Sequence, residues 1–171
     1  RSSATIVPCA YDTIASFCHR MFVVVGLNAP AVLAALEGDR AKAARSFTRV
    51  DADSDEEMFA SIRIGLTAII AHESSAGETQ QFDGALLHPG DHPGAARSTI
   101  EAVLQEFVQA AKARAVMPEY RGKGGHPVLL PRTMFDGLIE HHGNGGLRQF
   151  WIDHPDFCTR LAVDDPLCVL D

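Results

Sequence analysis

The chain has 171 residues, of which 46% are hydrophobic, and its formal net charge is −7. This size and composition are those of a globular domain with a substantial buried core. The acidic balance argues against nucleic acid as a partner, because phosphate contacts require clustered lysine and arginine.

Apolar content and cysteine usage indicate the cellular setting. No apolar run approaches the roughly 20 residues that span a membrane, and no signal peptide precedes the first helical segment. The four cysteines form neither a Cys-x-x-Cys pair nor a zinc-finger spacing, so we expect them to be reduced and mostly buried. The sequence therefore predicts a cytoplasmic protein that does not contact a membrane.

Apolar runs alternate with helical patterns along the chain. The unbroken run 21–25 is typical of a strand buried on both faces. The remaining predicted strands are 47–50, 85–87, 116–117, 128–130, 161–163 and 168–170, and the predicted helices are 30–36, 57–72, 99–113, 132–140 and 147–153. Strands separated by helices indicate an α/β fold, a three-layer sandwich with a mostly parallel sheet and a mixed edge. We expect a single domain over residues 1–171.

Asp91 follows the predicted strand 85–87 in a turn rich in proline and glycine, between His88 and His92. Ligands bind at the carboxyl ends of strands in open α/β sheets. A carboxylate there is a suitable ligand for a hard cation such as Mg²⁺. The alternative is that Asp91 only caps the turn.

Two further segments are candidates for binding. The stretch from Tyr120 to Pro127 contains three glycines, which permit a close backbone approach, and two basic residues that could contact phosphate; the alternative is a solvated surface turn. Ser61 lies early in the predicted helix 57–72, where free N–H groups favour an anion. Its alternative is an ordinary serine on a helix face, and Gly65 would mark close packing of that helix on the sheet.

Seven segments form an ordered set that includes a Gly-His-Pro motif at Gly125 to Pro127: 22–26, 58–66, 86–93, 118–129, 146–148, 163–166 and 169–171. Together they resemble one protein family, the molybdenum-cofactor nucleotidyltransferases, and especially their cytidylyltransferase-like branch. The resemblance covers about Thr5 to Asp171. The resemblance implies the Rossmann-like fold of nucleotide-diphospho-sugar transferases.

The resemblance also implies site residues. Asp91 matches the family's acidic metal ligand, and Asp171 aligns with the start of its Asp-x-Asp-Thr segment as a second Mg²⁺ ligand. Ser61 and Arg63 match positions at the nucleotide pocket. Gly125, His126 and Pro127 match a loop on the acceptor side.

The implied reaction moves a nucleoside monophosphate from an NTP, with CTP favoured, to a phosphate-bearing pterin-type acceptor and releases pyrophosphate. A molybdoenzyme or a chaperone is a further implied partner. The family's sequences open with a strand and a Leu-Ala-Ala-Gly-type loop that binds the triphosphate, and this loop is not found in the sequence given. We therefore expect a domain that is incomplete at both ends. The alternatives are a non-catalytic nucleotide- or cofactor-binding domain and a sugar-phosphate nucleotidyltransferase on the same fold.

Overall fold

The computed structural model describes residues 6–26, 29–38, 45–52, 58–75, 81–92, 94–141 and 145–170. Within these residues, the α-helices are α1 (Ile6–Ala15), α2 (Ala29–Glu37), α3 (Met58–Ser75), α4 (Arg97–Gln109), α5 (Phe135–Glu140) and α6 (Gly146–Asp153). The strands there are β1 (Phe22–Val25), β2 (Thr48–Asp51), β3 (Gly84–Leu87), β4 (Ala115–Tyr120), β5 (Lys123–Gly124), β6 (Val128–Pro131) and β7 (Cys158–Ala162). No described helix is both long and apolar enough to cross a membrane.

The chain divides into two compact units, each made of segments that are distant in sequence. The first unit comprises Arg1–His19, Gly84–Pro131 and Pro155–Asp171, and it contains α1, α4 and β3 to β7. The second unit comprises Arg20–Asp83 and Arg132–His154, and it contains β1, β2, α2, α3, α5 and α6. The single-domain organisation of residues 1–171 stays a prediction.

The sheet of the first unit has the strand order β3-β6-β4-β5, with β7 also paired to β4. Strand β6 is antiparallel to both β3 and β4, whereas β7 is parallel to β4. The α/β class is as predicted, but the antiparallel strand lies inside the sheet and not only at its edge. The reason is the connection 121–127, which is shorter than the dozen or more residues that a parallel crossover requires.

The core of the first unit lies between α4 and this sheet. Val103 and Phe107 of α4 pack with Val116 of β4 and Leu129 of β6, and each of the four is at most 5% exposed. Burial of each such side chain stabilises the fold by about 1.5–3 kcal/mol. Val103 and Phe107 both lie in the predicted helix 99–113, and their spacing of four residues places them on one face of α4.

In the second unit, β1 and β2 pair in parallel and α3 packs closely on β1. A Cβ atom added at Gly65 would lie 3.1 Å from Cγ2 of Val24, so a larger residue there would push the helix from the strand. The predicted role of Gly65 in close helix-to-sheet packing is consistent with this distance.

Two segments differ from the sequence-based prediction. Residues 168–170 were expected to be extended, but Pro166–Val169 is a 3₁₀ helix. The side chain of Asp165 accepts a hydrogen bond from the N–H of Leu167 and begins this turn. The glycine-rich stretch is also not a simple loop, because Tyr120 and Lys123 pair in a β-hairpin.

Candidate functional site

Asp91 lies in a tight turn directly after β3. The N–H of His92 donates to the carbonyl of Pro89 at 3.3 Å and closes the turn, and Asp91 is exposed. A turn cap would require a hydrogen bond from a backbone amide to the carboxylate, and no such bond joins Asp91 to another described residue. The carboxylate oxygens are therefore accessible to a ligand.

His92, the next residue, is only 3% exposed and both of its ring nitrogens form hydrogen bonds. Nδ1 accepts from the N–H of Gly94 at 3.3 Å, so it carries no proton. Nε2 lies 3.2 Å from the carbonyl oxygen of Cys168 and must donate to it. The ring is thus the neutral Nε2–H tautomer, and neither nitrogen is available as a metal ligand.

The Gly-His-Pro motif contacts the same carbonyl. The N–H of His126 donates to the oxygen of Cys168 at 2.7 Å, and the N–H of Gly125 donates to the carbonyl of Pro118 at 2.8 Å. A side chain at Gly125 would overlap the backbone of Cys168, which explains the glycine. Pro127 is fully buried and follows a cis peptide bond. Three segments therefore meet at one carbonyl: the Asp91 turn, the Gly-His-Pro motif and the segment 165–168.

The segment 165–168 is itself fixed to the start of α4. The Oδ2 atom of Asp165 accepts from the N–H of Ala96 and from Oγ1 of Thr99, both at 2.7 Å. Its Oδ1 atom accepts from the N–H of Leu167 at 3.0 Å. Asp171, the predicted second metal ligand, follows this segment but lies outside the described residues.

Three imidazole rings lie side by side in this part of the first unit. The ring centroid of His92 is 5.0 Å from that of His88 and 5.5 Å from that of His126. Both ring nitrogens of His88 are buried and form no hydrogen bond within the described part of the chain. Burial is the main cause, and the neighbouring histidines a smaller one, that together lower the pKa of His88 to about 4, so this ring is also neutral at pH 7.

The two basic residues of the hairpin make local contacts. The guanidinium carbon of Arg121 lies 5.1 Å from the ring centroid of Tyr120, which is a cation–π distance. The Nζ atom of Lys123 donates to the carbonyl of Val169 at 3.1 Å. Both side chains are exposed, and the choice between a surface turn and a phosphate-binding segment stays open.

Ser61 and Arg63 lie in the second unit, whereas Asp91 and the Gly-His-Pro motif lie in the first. Ser61 is half-buried near the start of α3. Arg63 donates from Nε to the carbonyl of Ile139 at 3.0 Å, which ties α3 to the end of α5. Arg63 therefore has a structural role in the second unit, whether or not Ser61 and Arg63 also bind a ligand as predicted.

The donors present fit a cation that is held mainly by substrate. No group of three or more metal-binding side chains is formed among the described residues. Mg²⁺ is commonly held by one or two carboxylates together with substrate phosphates and water. The accessible carboxylate of Asp91 is compatible with that kind of coordination.

Sequence reasoning missed the carbonyl of Cys168 and the structural role of His92. Every residue has a backbone carbonyl, so no sequence pattern could have identified the one at Cys168 as a shared acceptor. The sequence places His92 next to Asp91, but its two hydrogen bonds to backbone groups depend on the folded structure.

Comparison with known proteins places the chain in a family. A family model described as the MobA-like NTP transferase domain matches residues 3–157. The chain belongs to this family. No match is found among curated proteins.

Solved structures of the same fold include Rv0371c from Mycobacterium tuberculosis H37Rv, at 24% identity and a TM-score of 0.66, with 93% of this chain and 74% of that chain covered. Its complex with manganese gives 23% identity and a TM-score of 0.65, with coverages of 93% and 76%. A nucleotidyl transferase from Methanothermobacter thermautotrophicus gives 16% identity and a TM-score of 0.72, with coverages of 96% and 73%.

Family membership confirms the enzyme class that the sequence predicted. A MobA-like NTP transferase domain is a nucleotidyltransferase, and its substrate is a nucleoside triphosphate. The likeness to solved structures confirms the predicted α/β fold, which together with the family match is consistent with the nucleotide-diphospho-sugar transferase type.

Proposed function

We propose that this MobA-like NTP transferase domain transfers a nucleoside monophosphate, with CTP as the favoured donor, to the phosphate of a pterin-type acceptor. An acceptor phosphate oxygen bonds to the α-phosphorus, and the bond from that phosphorus to the bridging oxygen breaks, so pyrophosphate leaves. The observation that carries the proposal is the accessible Asp91 carboxylate at the carboxyl end of β3, which forms no bond to the other described residues.

The proposed metal is Mg²⁺, bound by Asp91 with Asp171 as the second carboxylate. A bound divalent cation would hold the phosphates and neutralise the charge that develops in the transition state. The structural neighbour Rv0371c forms a complex with manganese, which supports the use of a divalent cation. The ligands are hard oxygen donors, so Mg²⁺ and Mn²⁺ are both chemically suitable.

The roles of the remaining residues are positional. Ser61 would donate its hydroxyl to the nucleotide, and Arg63 would use the guanidinium nitrogens that are not bonded to Ile139. Gly125, His126 and Pro127 would line the acceptor side. Holding two reactants in line supplies a large part of the rate enhancement in such reactions.

The proposed setting is the cytoplasm, with a molybdoenzyme or a chaperone as the recipient of the product. The four cysteines are all unpaired, which suits a reducing compartment. A co-purification experiment with molybdoenzyme subunits tests the partner separately from the chemistry.

The test is calorimetric titration of CTP, GTP and ATP into the full protein with Mg²⁺, Mn²⁺ or EDTA. We expect metal-dependent binding that Asp91→Asn weakens by at least about 10–100-fold, because loss of a residue that only orients a metal ligand already has effects of this size. Asp136→Asn removes an exposed carboxylate from α5 and is the matched control.

Three outcomes distinguish the candidates. Nucleotide binding that ignores both the metal and Asp91→Asn would overturn the metal role of Asp91. Binding without release of pyrophosphate, with acceptor present, favours the non-catalytic binding domain. Transfer to a sugar phosphate, but not to a pterin phosphate, favours the sugar-phosphate enzyme.

A further inference from the structure

The ring of His92 joins the Asp91 turn to two other segments. Its Nδ1 accepts from the N–H of Gly94, two residues later in the chain, at 3.3 Å. Its Nε2–H donates to Cys168, which is 76 residues away in sequence, at 3.2 Å. A ring that is bonded at both nitrogens cannot rotate without losing one bond, so its orientation and the backbone that carries it are fixed.

The acceptor of the second bond is shared with the Gly-His-Pro motif. The carbonyl of Cys168 also receives the N–H of His126 at 2.7 Å. A carbonyl oxygen has two lone pairs, and here both are used by donors from different segments. The Asp91 turn and the Gly-His-Pro motif are therefore joined at this oxygen through the donor of His92, in addition to the pairing of β3 with β6 that brings Leu87 opposite Val128.

We propose that His92 is a positioning residue for nucleotidyl transfer, which holds the Asp91 turn against the Cys168 carbonyl through its Nε2–H tautomer. The inference rests on the proposed function of Asp91. The backbone N–H of His92 closes the turn that presents Asp91, so the peptide that places the carboxylate is the same one that the ring fixes. Residues that orient metal ligands commonly change metal affinity or activity by about 10–100-fold when they are removed.

Two substitutions separate the hydrogen bonds of His92 from its packing. In His92→Gln, the carboxamide oxygen can accept from the Gly94 amide and its NH₂ group can donate to the Cys168 carbonyl, but the aromatic ring is lost. In His92→Phe, a ring remains between His88 and His126, which flank His92 at 5.0 and 5.5 Å, but both hydrogen bonds are lost. Positioning by hydrogen bonds predicts that glutamine is the better replacement, whereas packing predicts phenylalanine.

The first measurement does not depend on the catalytic activity of the protein. We expect ¹⁵N-detected NMR of the imidazole at pH 7 to show His92 protonated at Nε2 and unprotonated at Nδ1. Amide exchange of Gly94 should be faster in His92→Phe, because its acceptor is gone, and should stay near its original rate in His92→Gln. A proton on Nδ1, or an unchanged Gly94 amide in His92→Phe, would overturn the proposal.

The second measurement is steady-state transfer at varied metal concentration. His92→Phe should lower kcat/KM and raise the metal concentration for half-maximal rate by about 10–100-fold, and His92→Gln should stay within about threefold of the unaltered protein. His72→Gln is the control, since it removes an imidazole that packs between Phe22 and Phe82 in the second unit. It should leave the metal dependence unchanged.

The outcomes separate the two proposals. If both His92 variants lose activity equally, or if His92→Phe remains active, the positioning role is wrong while nucleotidyl transfer stands. If the unaltered protein transfers no nucleotide, the proposed function fails, and the NMR and exchange experiments decide the geometry of His92 alone. Thermal unfolding of each variant shows whether a loss comes from unfolding.

Discussion

Asp165 and Thr99, which are 66 residues apart in sequence, share a buried hydrogen bond of 2.7 Å between Oδ2 and Oγ1. The same carboxylate also accepts the backbone N–H groups of Ala96 and Leu167. One side chain therefore satisfies free amides at the start of two different helical segments, α4 and the 3₁₀ helix Pro166–Val169. This arrangement fixes the segment that carries the Cys168 carbonyl.

Removal of the Asp165 carboxylate should destabilise the first unit. In Asp165→Ala, two amides and one hydroxyl lose their acceptor in a buried place, and we expect a loss of about 3 kcal/mol in the free energy of unfolding. Urea denaturation monitored by circular dichroism measures it. Asp164→Ala, at the exposed neighbouring position, should change the free energy by less than about 0.5 kcal/mol. Equal losses for the two variants would contradict the capping role.

The ion pair between Glu73 and Arg132 should stabilise the second unit. Glu73 is 7% exposed, and its carboxylate accepts from Nε of Arg132 at 3.1 Å and from the N–H of Phe82 at 2.9 Å. Glu73→Ala leaves a largely buried guanidinium unpaired, so we expect a cost of about 3 kcal/mol.

The exposed pair of Arg97 and Glu101 is the control for Glu73. Glu101→Ala should cost no more than about 0.5 kcal/mol, because an exposed pair is screened by water. Urea unfolding of both variants makes the comparison, and a similar cost for the two pairs would show that burial does not decide the strength of the Glu73 pair.

The periodic elements could be predicted from the sequence because burial imposes their pattern. The apolar run at β1 is continuous because a strand buried on both faces is apolar at every position. Val103 and Phe107 are spaced four residues apart because only one face of α4 is buried. Residues 168–170 were predicted as extended because a short apolar run is compatible with a strand, but 168 and 169 belong to the 3₁₀ helix Pro166–Val169. The better signal was Asp165 followed by Pro166, which is a helix-start pattern.

The β-hairpin and the junction at Cys168 were less accessible to sequence reasoning. The hairpin turn requires positive φ at both central residues, and Arg121 adopts φ 51° where asparagine or glycine is usual. The Asp91 turn could be identified from the sequence because a carboxylate that follows a strand is a recognisable metal-ligand pattern. The carbonyl that joins it to the Gly-His-Pro motif is a backbone atom whose role depends on tertiary contacts alone.

Two glycines offer a matched test of close packing. Gly125→Ala would bring a Cβ atom into the backbone of Cys168, so we expect a loss of at least about 2 kcal/mol in the free energy of unfolding and a displaced Gly-His-Pro motif. At Gly137 in α5 an added Cβ meets nothing within 4 Å. Gly137→Ala should therefore stabilise the protein by about 0.5–1 kcal/mol, since alanine favours a helix. Thermal unfolding of both variants checks the opposite signs.

The stability of the protein should fall in mild acid because of His88. The pKa of this histidine is lowered from 6.5 to about 4 by burial and by the neighbouring histidines. The unfolded chain therefore binds a proton that the folded chain does not bind between about pH 6.5 and pH 4.

The contribution of His88 is fully present above pH 6.5, decreases as the pH falls through this window, and is constant below pH 4. The ring is only partly buried, so solvent reduces the loss to about 2 kcal/mol. Urea unfolding from pH 7.5 to pH 4 should show this loss, and His88→Gln should show a flatter profile by about the same amount. His19, which is exposed near the end of the first segment of the same unit, supplies the control. In His19→Gln, the free energy of unfolding should depend on pH as it does in the unaltered protein. If His88→Gln also leaves this pH dependence unchanged, other groups cause the acid sensitivity.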